Sequence, residues 1–240
     1  MTRTPLVTKL KRLLRSVAYQ TGVLSAMHRL TNRNHLTVVM FHRVLSARDP
    51  RWAGADPEYT MSDKLFAEVL EFLKGHYSII SPPQLFDALE GASLPPRPLL
   101  ITLDDGWADT AEYAMPALRH LGLPAAVFVA AGAIGRREAF WEERLYAAWR
   151  RGRVTVAELQ QRAGWRPELG DQSMPLDNSE RALRTLVTAL GRAPEEARSG
   201  LLASLGDADR EPPHMLSADQ LRLLASNGVA IGSMAIRMSR

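Results

Sequence analysis

Short apolar runs alternate with amphipathic segments along much of the chain. The runs have the length and branched aliphatic content of buried parallel strands, and they lie at 36–41, 77–80, 98–103, 125–129 and 229–231. Segments with helical spacing separate them, and a polar loop is expected after the first run. Strands that alternate with helices predict an α/β fold with a parallel sheet or barrel. Only about five strands are recognisable, too few to close a barrel.

Capping residues mark the start of several predicted helices, because their side chains accept hydrogen bonds from free first-turn amides. The candidate caps are Ser62, Ser81, Thr155, Asn178 or Ser179, and Ser217. The helix after Ser62 is expected to place its apolar face on Leu65, Phe66, Val69, Leu70 and Leu73.

Residues 139–214 interrupt the alternation. They are helical in tendency, are punctuated by charged, glycine and proline positions, and show no clear strand. We predict that they form a helical insertion into the α/β unit, which could serve as a lid.

The segment before the first strand differs from the rest. Residues 6–30 have the pattern of a basic amphipathic helix, with Leu6, Leu10, Leu13, Leu14, Val17 and Leu24 at helical spacing. Such a helix could rest on an anionic membrane surface, or it could pack on its own domain. The second alternative is favoured. The predicted division is a helix over 1–33 and one domain over 34–240.

The composition narrows the function classes. The chain has 240 residues and no cysteine, which excludes disulfides, thiolate metal sites and cysteine nucleophiles. Residues 1–48 hold nine Lys and Arg and no acidic residue, which leaves 21 basic against 26 acidic residues in the remainder. Nucleic-acid binding through a basic surface is therefore disfavoured. Charges interrupt the N-terminal apolar positions, unlike in a secretory signal, so the expected location is the cytoplasm, with peripheral membrane contact through 6–30 left open.

Two adjacent carboxylates, Asp104 and Asp105, directly follow the strand over 98–103, with Gly106 next. In parallel α/β folds catalytic groups gather at the carboxyl ends of strands. The pair fits a site in which Asp105 binds a metal ion and Asp104 takes a proton from metal-bound water. It fits equally well a tight turn that caps the next helix.

His42 and Trp107 are further candidates. His42 directly follows the first strand, so it reaches the same rim if the strands are parallel, although a buried structural histidine is equally compatible. Trp107 could stack on a sugar ring, but aromatic side chains at such positions more often pack. The sequence contains no glycine-rich phosphate loop and no G-x-S-x-G nucleophile motif.

Four segments stand in a characteristic order. They are VVMFHRV at 38–44, ITLDDGW at 101–107, LPAAVFV at 123–129, and a stretch at 215–233 that begins MLSADQ and ends ASNGVAIGS. Together they resemble the polysaccharide deacetylase family, the NodB-homology domain of carbohydrate esterase family 4. The segment FWEERL at 140–145 also resembles the start of a helical insert in exopolysaccharide-associated members.

The resemblance implies a distorted (β/α) barrel and the metal-dependent removal of acetyl groups from amino-sugar glycans. It implies that Asp104 is the general base and that Asp105 is a ligand of zinc or a similar divalent ion. We expect His42 and Trp107 to contact the N-acetylated polysaccharide.

The chain departs from the family at the second metal motif. The family has Ser-His-[Ser/Thr/Gly]-x-x-His there, whereas this chain has Ser-Met-Ala-Ile-Arg-Met at 233–238. Met234 and Met238 thus occupy the two histidine positions, and thioethers are poor replacements for imidazole at zinc. The family's later motifs have no matching residues. We therefore expect an incomplete NodB-like barrel that does not retain the metal.

The expected function is that of a polysaccharide deacetylase-like hydrolase, acting on a carbon–nitrogen bond other than a peptide bond, in a chain that is itself inactive and poorly stable. The alternative is a non-catalytic carbohydrate-binding or interaction protein with a degenerate deacetylase fold. The polysaccharide, the N- or O-linkage and the oligomeric state stay open.

The two methionines suggest one hypothesis for the lost ligands. In the frame one base back, each ATG supplies AT to a codon that begins with the last base of the preceding codon. The preceding residues are Ser233 and Arg237, and the genetic code has serine and arginine codons that end in C. If such codons are used, both methionine positions read CAT, a histidine codon, in the shifted frame. A frameshift near Ser233 is the resulting hypothesis, with a sequencing error or a real short product as alternatives. The nucleotide sequence decides between them.

Overall fold

The computed structural model describes residues 21, 32–164, 177–205, 212 and 214–234. The predicted helix over 6–30 lies almost wholly outside the described residues, and Met238 lies outside them too. None of the helices in the described ranges combines the length and the apolar character that crossing a membrane requires.

The described strands form one larger and one smaller sheet, both parallel. In chain order they are β1 (Thr37–Phe41), β2 (Arg43–Leu45), β3 (Thr60–Ser62), β4 (Ser78–Ile79), β5 (Pro98–Leu103), β6 (Ala126–Ala130) and β7 (Ala230–Met234). The larger sheet has the order β1-β5-β6-β7, with β4 paired to the start of β5. No closed barrel forms among the described strands, so the predicted open α/β fold is confirmed.

The small sheet of β2 and β3 corrects the expectation of a polar loop after the first strand. β2 is buried along its whole length, and the amide of Arg43 donates a 3.0 Å hydrogen bond to the carbonyl of Tyr59. Each of these strands has three residues. A run this short shows no alternation that a sequence pattern could reveal.

The helices alternate with the strands as predicted, and several of them are gathered in the insertion. In chain order they are α1 (Asp63–His76), α2 (Pro82–Leu89), α3 (Met115–Leu121), α4 (Trp141–Arg150), α5 (Val156–Arg162), α6 (Glu180–Arg192), α7 (Glu195–Ala203) and α8 (Ala218–Ser226). A π-helical turn, Thr110–Ala114, precedes α3. Pro116 lacks an amide hydrogen there and cannot donate to the carbonyl four residues earlier.

Most of the predicted caps are confirmed. Hydroxyls of the serine or threonine caps accept from first-turn amides at the starts of α1, α2, α5, α6 and α8. Ser179, rather than Asn178, caps α6, while the side-chain oxygen of Asn178 accepts from Trp149 and from the amide of Val156. On α1 the stripe Phe66, Leu70 and Leu73 is buried, but Leu65 is 47% exposed because it lies to one side of that stripe.

Two larger apolar cores and a smaller one around Trp107 hold the described part together. The main core lies between one face of the larger sheet and α1, α3 and α8, and it includes Phe66, Leu70, Leu99, Ile101, Leu103, Leu118 and Val127. The second core lies within the insertion and includes Leu145, Val156, Leu159, Leu183, Leu186 and Leu190. The insertion therefore has a core of its own.

The other face of the larger sheet is partly open. Successive strand residues point to opposite faces, and Val38 and Met40 on β1 are 53% and 56% exposed. Phe128 on β6, which points to the same face, is also exposed. Neither β1 nor β7 has a second neighbouring strand among the described residues.

Candidate active site

The turn from Asp104 to Gly106 is held from three sides. The amide of Asp104 donates to the carbonyl of Phe41 at 2.9 Å, and the carbonyl of Asp105 accepts from Ala130 at 3.2 Å. The carbonyl of Gly106 accepts from Leu216 at 2.9 Å. β1, β6 and the segment before α8 therefore fix the turn at the carboxyl end of β5.

The backbone of this turn is left-handed, with φ 75° at Asp105 and φ 82° at Gly106. Glycine suits the second position, because a Cβ there would lie 3.1 Å from the side chain of Val129. Neither carboxylate accepts from an amide of the following helix in the described structure. The turn is tight, as the alternative of a capping turn predicted, but the side chains of Asp104 and Asp105 do not cap the helix that follows.

The two carboxylates have different surroundings. Oδ2 of Asp105 accepts a 3.1 Å hydrogen bond from the indole of Trp107. Oδ1 of Asp104 is buried without a hydrogen-bond partner. Burial raises the pKa of the Asp104 carboxyl; His42 acts to lower it and Asp105 to raise it further. A carboxylate with a raised pKa is suited to accept a proton near neutral pH.

His42 lies at the same rim as the carboxylates, as the sequence predicted. The parallel register pairs Phe41 with Leu103, so the residues that follow them, His42 and Asp104, emerge side by side. The imidazole packs edge-on against Tyr59, with ring centroids 5.2 Å apart.

A cavity of about 520 Å³ opens at this rim. The rim of the sheet, the segment before β3, and α4 and α6 of the insertion all contribute to its lining, which consists of His42, Arg43, Asp56, Glu58, Tyr59, Asp105, Trp107, Phe140, Glu142, Glu143, Tyr146, Leu183, Arg184, Val187 and Thr188. The insertion thus forms one wall of the cavity.

A buried arginine, Arg43, links these parts, and sequence reasoning did not select it. Nε donates to Oδ2 of Asp109 at 3.0 Å, and Nη1 is hydrogen-bonded to Glu143 of α4. The guanidinium lies 4.2 Å from the centroid of the Trp107 ring. Burial raises the pKa of both partner carboxyls, while the charge of Arg43 acts to lower it. The only signal in the sequence is the position of Arg43, directly after His42.

The segment 49–59, which supplies part of the cavity wall, is anchored by two further arginines. Arg51, almost fully buried, is hydrogen-bonded to Asp49 and to Glu112. Arg184 of α6 donates to both carboxylate oxygens of Asp56, at 3.1 and 2.8 Å. These contacts fix the segment between the sheet domain and the insertion.

The donors at this rim do not fit a zinc site. Met234 pairs with Ala130 in the sheet, and the amide of Ala130 donates to the carbonyl of Asp105, so this methionine lies at the same rim of the sheet as Asp105. Within the described ranges, no three His, Cys, Asp or Glu side chains come together in a group that could hold a metal ion. Structural and catalytic zinc sites require three or four such ligands.

Comparison with known proteins gives structural similarity only. No family model matches the chain, and no curated protein matches it significantly. Among solved structures, a de-N-acetylase from Aggregatibacter actinomycetemcomitans is 17% identical with a TM-score of 0.45; the match covers 85% of this chain and 56% of that one. IcaB from Ammonifex degensii is 18% identical, with a TM-score of 0.37 and coverages of 84% and 92%. Streptococcus pyogenes deacetylase PplD is 15% identical, with a TM-score of 0.37 and coverages of 85% and 94%.

Two of these three solved structures, the de-N-acetylase and PplD, are described as deacetylases, as the sequence motifs led us to expect. The chain spans 56% of the length of the first of them. Each of these TM-scores is below 0.5, so the evidence for function lies in the site residues alone.

Proposed function

We propose that this chain is a polysaccharide deacetylase-like hydrolase domain whose cavity binds an N-acetylated amino-sugar glycan. The observation that carries the proposal is the Asp104–Asp105 pair at the carboxyl end of β5, at the rim where the aromatic-walled cavity opens. A volume of about 520 Å³ is within the usual range of ligand pockets, which is roughly 300–1,000 Å³.

Each carboxylate has a role that its surroundings support. Asp104 is the proposed general base, because one of its oxygens has no partner and its pKa is raised. Asp105, which the sequence resemblance implies is a metal ligand, lines the cavity, and its carboxylate is oriented by the hydrogen bond from Trp107. The rings of Tyr59 and Phe140 offer apolar surfaces against which sugar rings can pack.

We further propose that the 240-residue chain binds glycan without releasing acetate. Among the described residues no group of His, Cys, Asp and Glu side chains could hold zinc, and the sequence resemblance implies that Met234 stands in place of a histidine ligand. Met238, at the other position, lies outside the described residues. A non-catalytic carbohydrate-binding protein with a degenerate deacetylase fold is the second candidate function, and the methionine at a position where the family has histidine supports it.

The test measures binding, zinc content and acetate release on the same preparation. With an N-acetylglucosamine tetramer we expect calorimetric binding, no stoichiometric zinc and no acetate release. Acetate release that depends on added zinc would contradict the proposed inactivity. Failure of the wild-type chain to bind the tetramer would contradict the glycan site.

Restoring the two ligands tests the metal part separately. We expect the double variant Met234→His, Met238→His to retain zinc that the wild-type chain does not retain. Met40→His, which adds a histidine on the open face of the sheet, is the matched control. Equal zinc content in the double variant and the control would contradict the placement of the ligand positions.

A further inference from the structure

We propose that Arg43 is a substrate-binding residue, and that its Nη2 donates a hydrogen bond to an oxygen of the bound sugar. This inference rests on the glycan site of the proposed function. Neither the sequence motifs nor the deacetylase resemblance assigned a role to this residue.

Arg43 is placed as a binding residue needs to be. Its side chain is 1% exposed, yet it is among the residues that line the cavity. Asp109 holds Nε, Glu143 holds Nη1, and the guanidinium stacks on Trp107. These three contacts, two from the segment 107–109 and one from α4, fix the plane of the group before any ligand binds.

One nitrogen of this fork is left without a partner. A carboxylate that faces an arginine side-on commonly accepts from both Nε and Nη2. Here Asp109 accepts from Nε with Oδ2, while its Oδ1 accepts from the amide of Val44 at 3.0 Å. Nη2 is buried and has no hydrogen-bond partner. A charged donor in this state gains from any acceptor that reaches it from the cavity, because burial without a partner is unfavourable.

The charges around Arg43 indicate the class of acceptor. Two carboxylates, Asp109 and Glu143, already surround its single positive charge. The carboxylates of Asp105 and Glu142 line the same cavity and would repel an anion. The acceptor that fits is therefore a neutral oxygen, a hydroxyl or the acetyl carbonyl of an amino sugar, rather than a phosphate or a uronate.

A purely structural ion pair is the competing explanation, and Arg43→Lys separates the two. Lysine keeps the positive charge but cannot bind two carboxylates and a sugar oxygen through one planar group. We expect the variant to melt cooperatively and to bind the N-acetylglucosamine tetramer at least about tenfold more weakly, the effect of one charge-assisted hydrogen bond. The control is Arg222→Lys, since Arg222 is also paired with a carboxylate, that of Asp219, but lies on α8 and does not line the cavity. We expect its affinity to stay within about twofold of the wild type.

The outcomes distinguish this inference from the proposed function. No binding by the wild-type chain contradicts the glycan site itself. Wild-type binding that Arg43→Lys leaves unchanged overturns only the role of Arg43.

If Arg43→Lys does not fold, nitrogen NMR of the arginine side chains in the wild-type chain shows whether Arg43 contacts the bound sugar. The Arg43 signal, identified by its change in Trp107→Phe, is expected to shift as the tetramer saturates the site. An unchanged signal at saturation overturns the inference.

Discussion

The indole nitrogen of Trp107 donates a 3.1 Å hydrogen bond to the carboxylate of Asp105, two residues before it. The guanidinium of Arg43 lies over the face of the same indole ring. One aromatic side chain thus connects a carboxylate of the turn with the ion pairs that reach the insertion.

Replacing Trp107 by phenylalanine keeps a ring under Arg43 but removes the donor to Asp105. We expect the affinity for the N-acetylglucosamine tetramer to fall by about 1 kcal/mol, the usual scale of one hydrogen bond. Titration calorimetry measures this directly. Trp149→Phe is the control, because its indole donates to Asn178, a residue outside the cavity lining. Equal affinities of the two variants would show that the Trp107 donor does not matter for binding.

Replacing Asp104 by asparagine is expected to stabilise the fold at neutral pH. The raised pKa means that the ionised form of Asp104 is disfavoured in the folded state. The free energy of unfolding is therefore lowered as pH rises through the pKa of the folded state, and this loss is absent below about pH 3.8, where the carboxyl is protonated in both states. A gain of about 1 kcal/mol would raise Tm by about 2–4 °C at pH 7. The gain should disappear in acid. Asp87→Asn, at an exposed aspartate of α2, is the control, and a gain that persisted at low pH would contradict the assigned cause.

The ionised carboxylate of Asp49 is expected to stabilise the fold at neutral pH and to lose this effect in acid, which is the reverse of the behaviour of Asp104. Burial alone would raise its pKa, but hydrogen bonds from Arg51 and from the hydroxyl of Tyr113 outweigh burial and lower the pKa to about 2. The stabilisation is therefore present above about pH 4 and is lost as pH falls toward 2. We expect Asp49→Asn to lose about 2 kcal/mol of unfolding free energy at pH 7. Urea unfolding at both pH values tests this, and a loss of the same size near pH 2 would refute it.

Removing Arg184 is expected to loosen the segment 49–59 from the insertion. Arg184→Ala leaves the carboxylate of Asp56, 10% exposed, without its bidentate partner. We expect a loss of about 2 kcal/mol in urea unfolding, below the range for fully buried pairs because Arg184 is partly exposed. Arg181→Ala, on the same helix but exposed, should cost much less. Adding Asp56→Asn to Arg184→Ala should recover part of the loss, and no recovery would mean that the cost is not electrostatic.

Local features of the fold could be predicted from the sequence because they depend on neighbouring residues. A serine before an apolar stripe starts a helix wherever the chain runs, as Ser62 and Ser217 do. The meeting of His42 with Asp104 was also predictable, since it follows from two adjacent parallel strands.

The ion pairs of the site could not be predicted in the same way. Arg43 and Glu143 lie 100 residues apart in sequence, and their pairing depends on how the insertion folds back over the sheet. Arg184 and Asp56 are separated by 128 residues. Charged residues normally stay in water, so no pattern of polarity marks the few that become buried against one another.

The left-handed backbone of Asp105 has a consequence for engineering. A residue with a Cβ in this conformation costs on the order of 1 kcal/mol, whereas glycine would adopt it without strain. Selection of variants for thermal tolerance would therefore favour glycine at position 105, while selection for glycan binding would retain the carboxylate. At this position the two selections would move the chain in opposite directions.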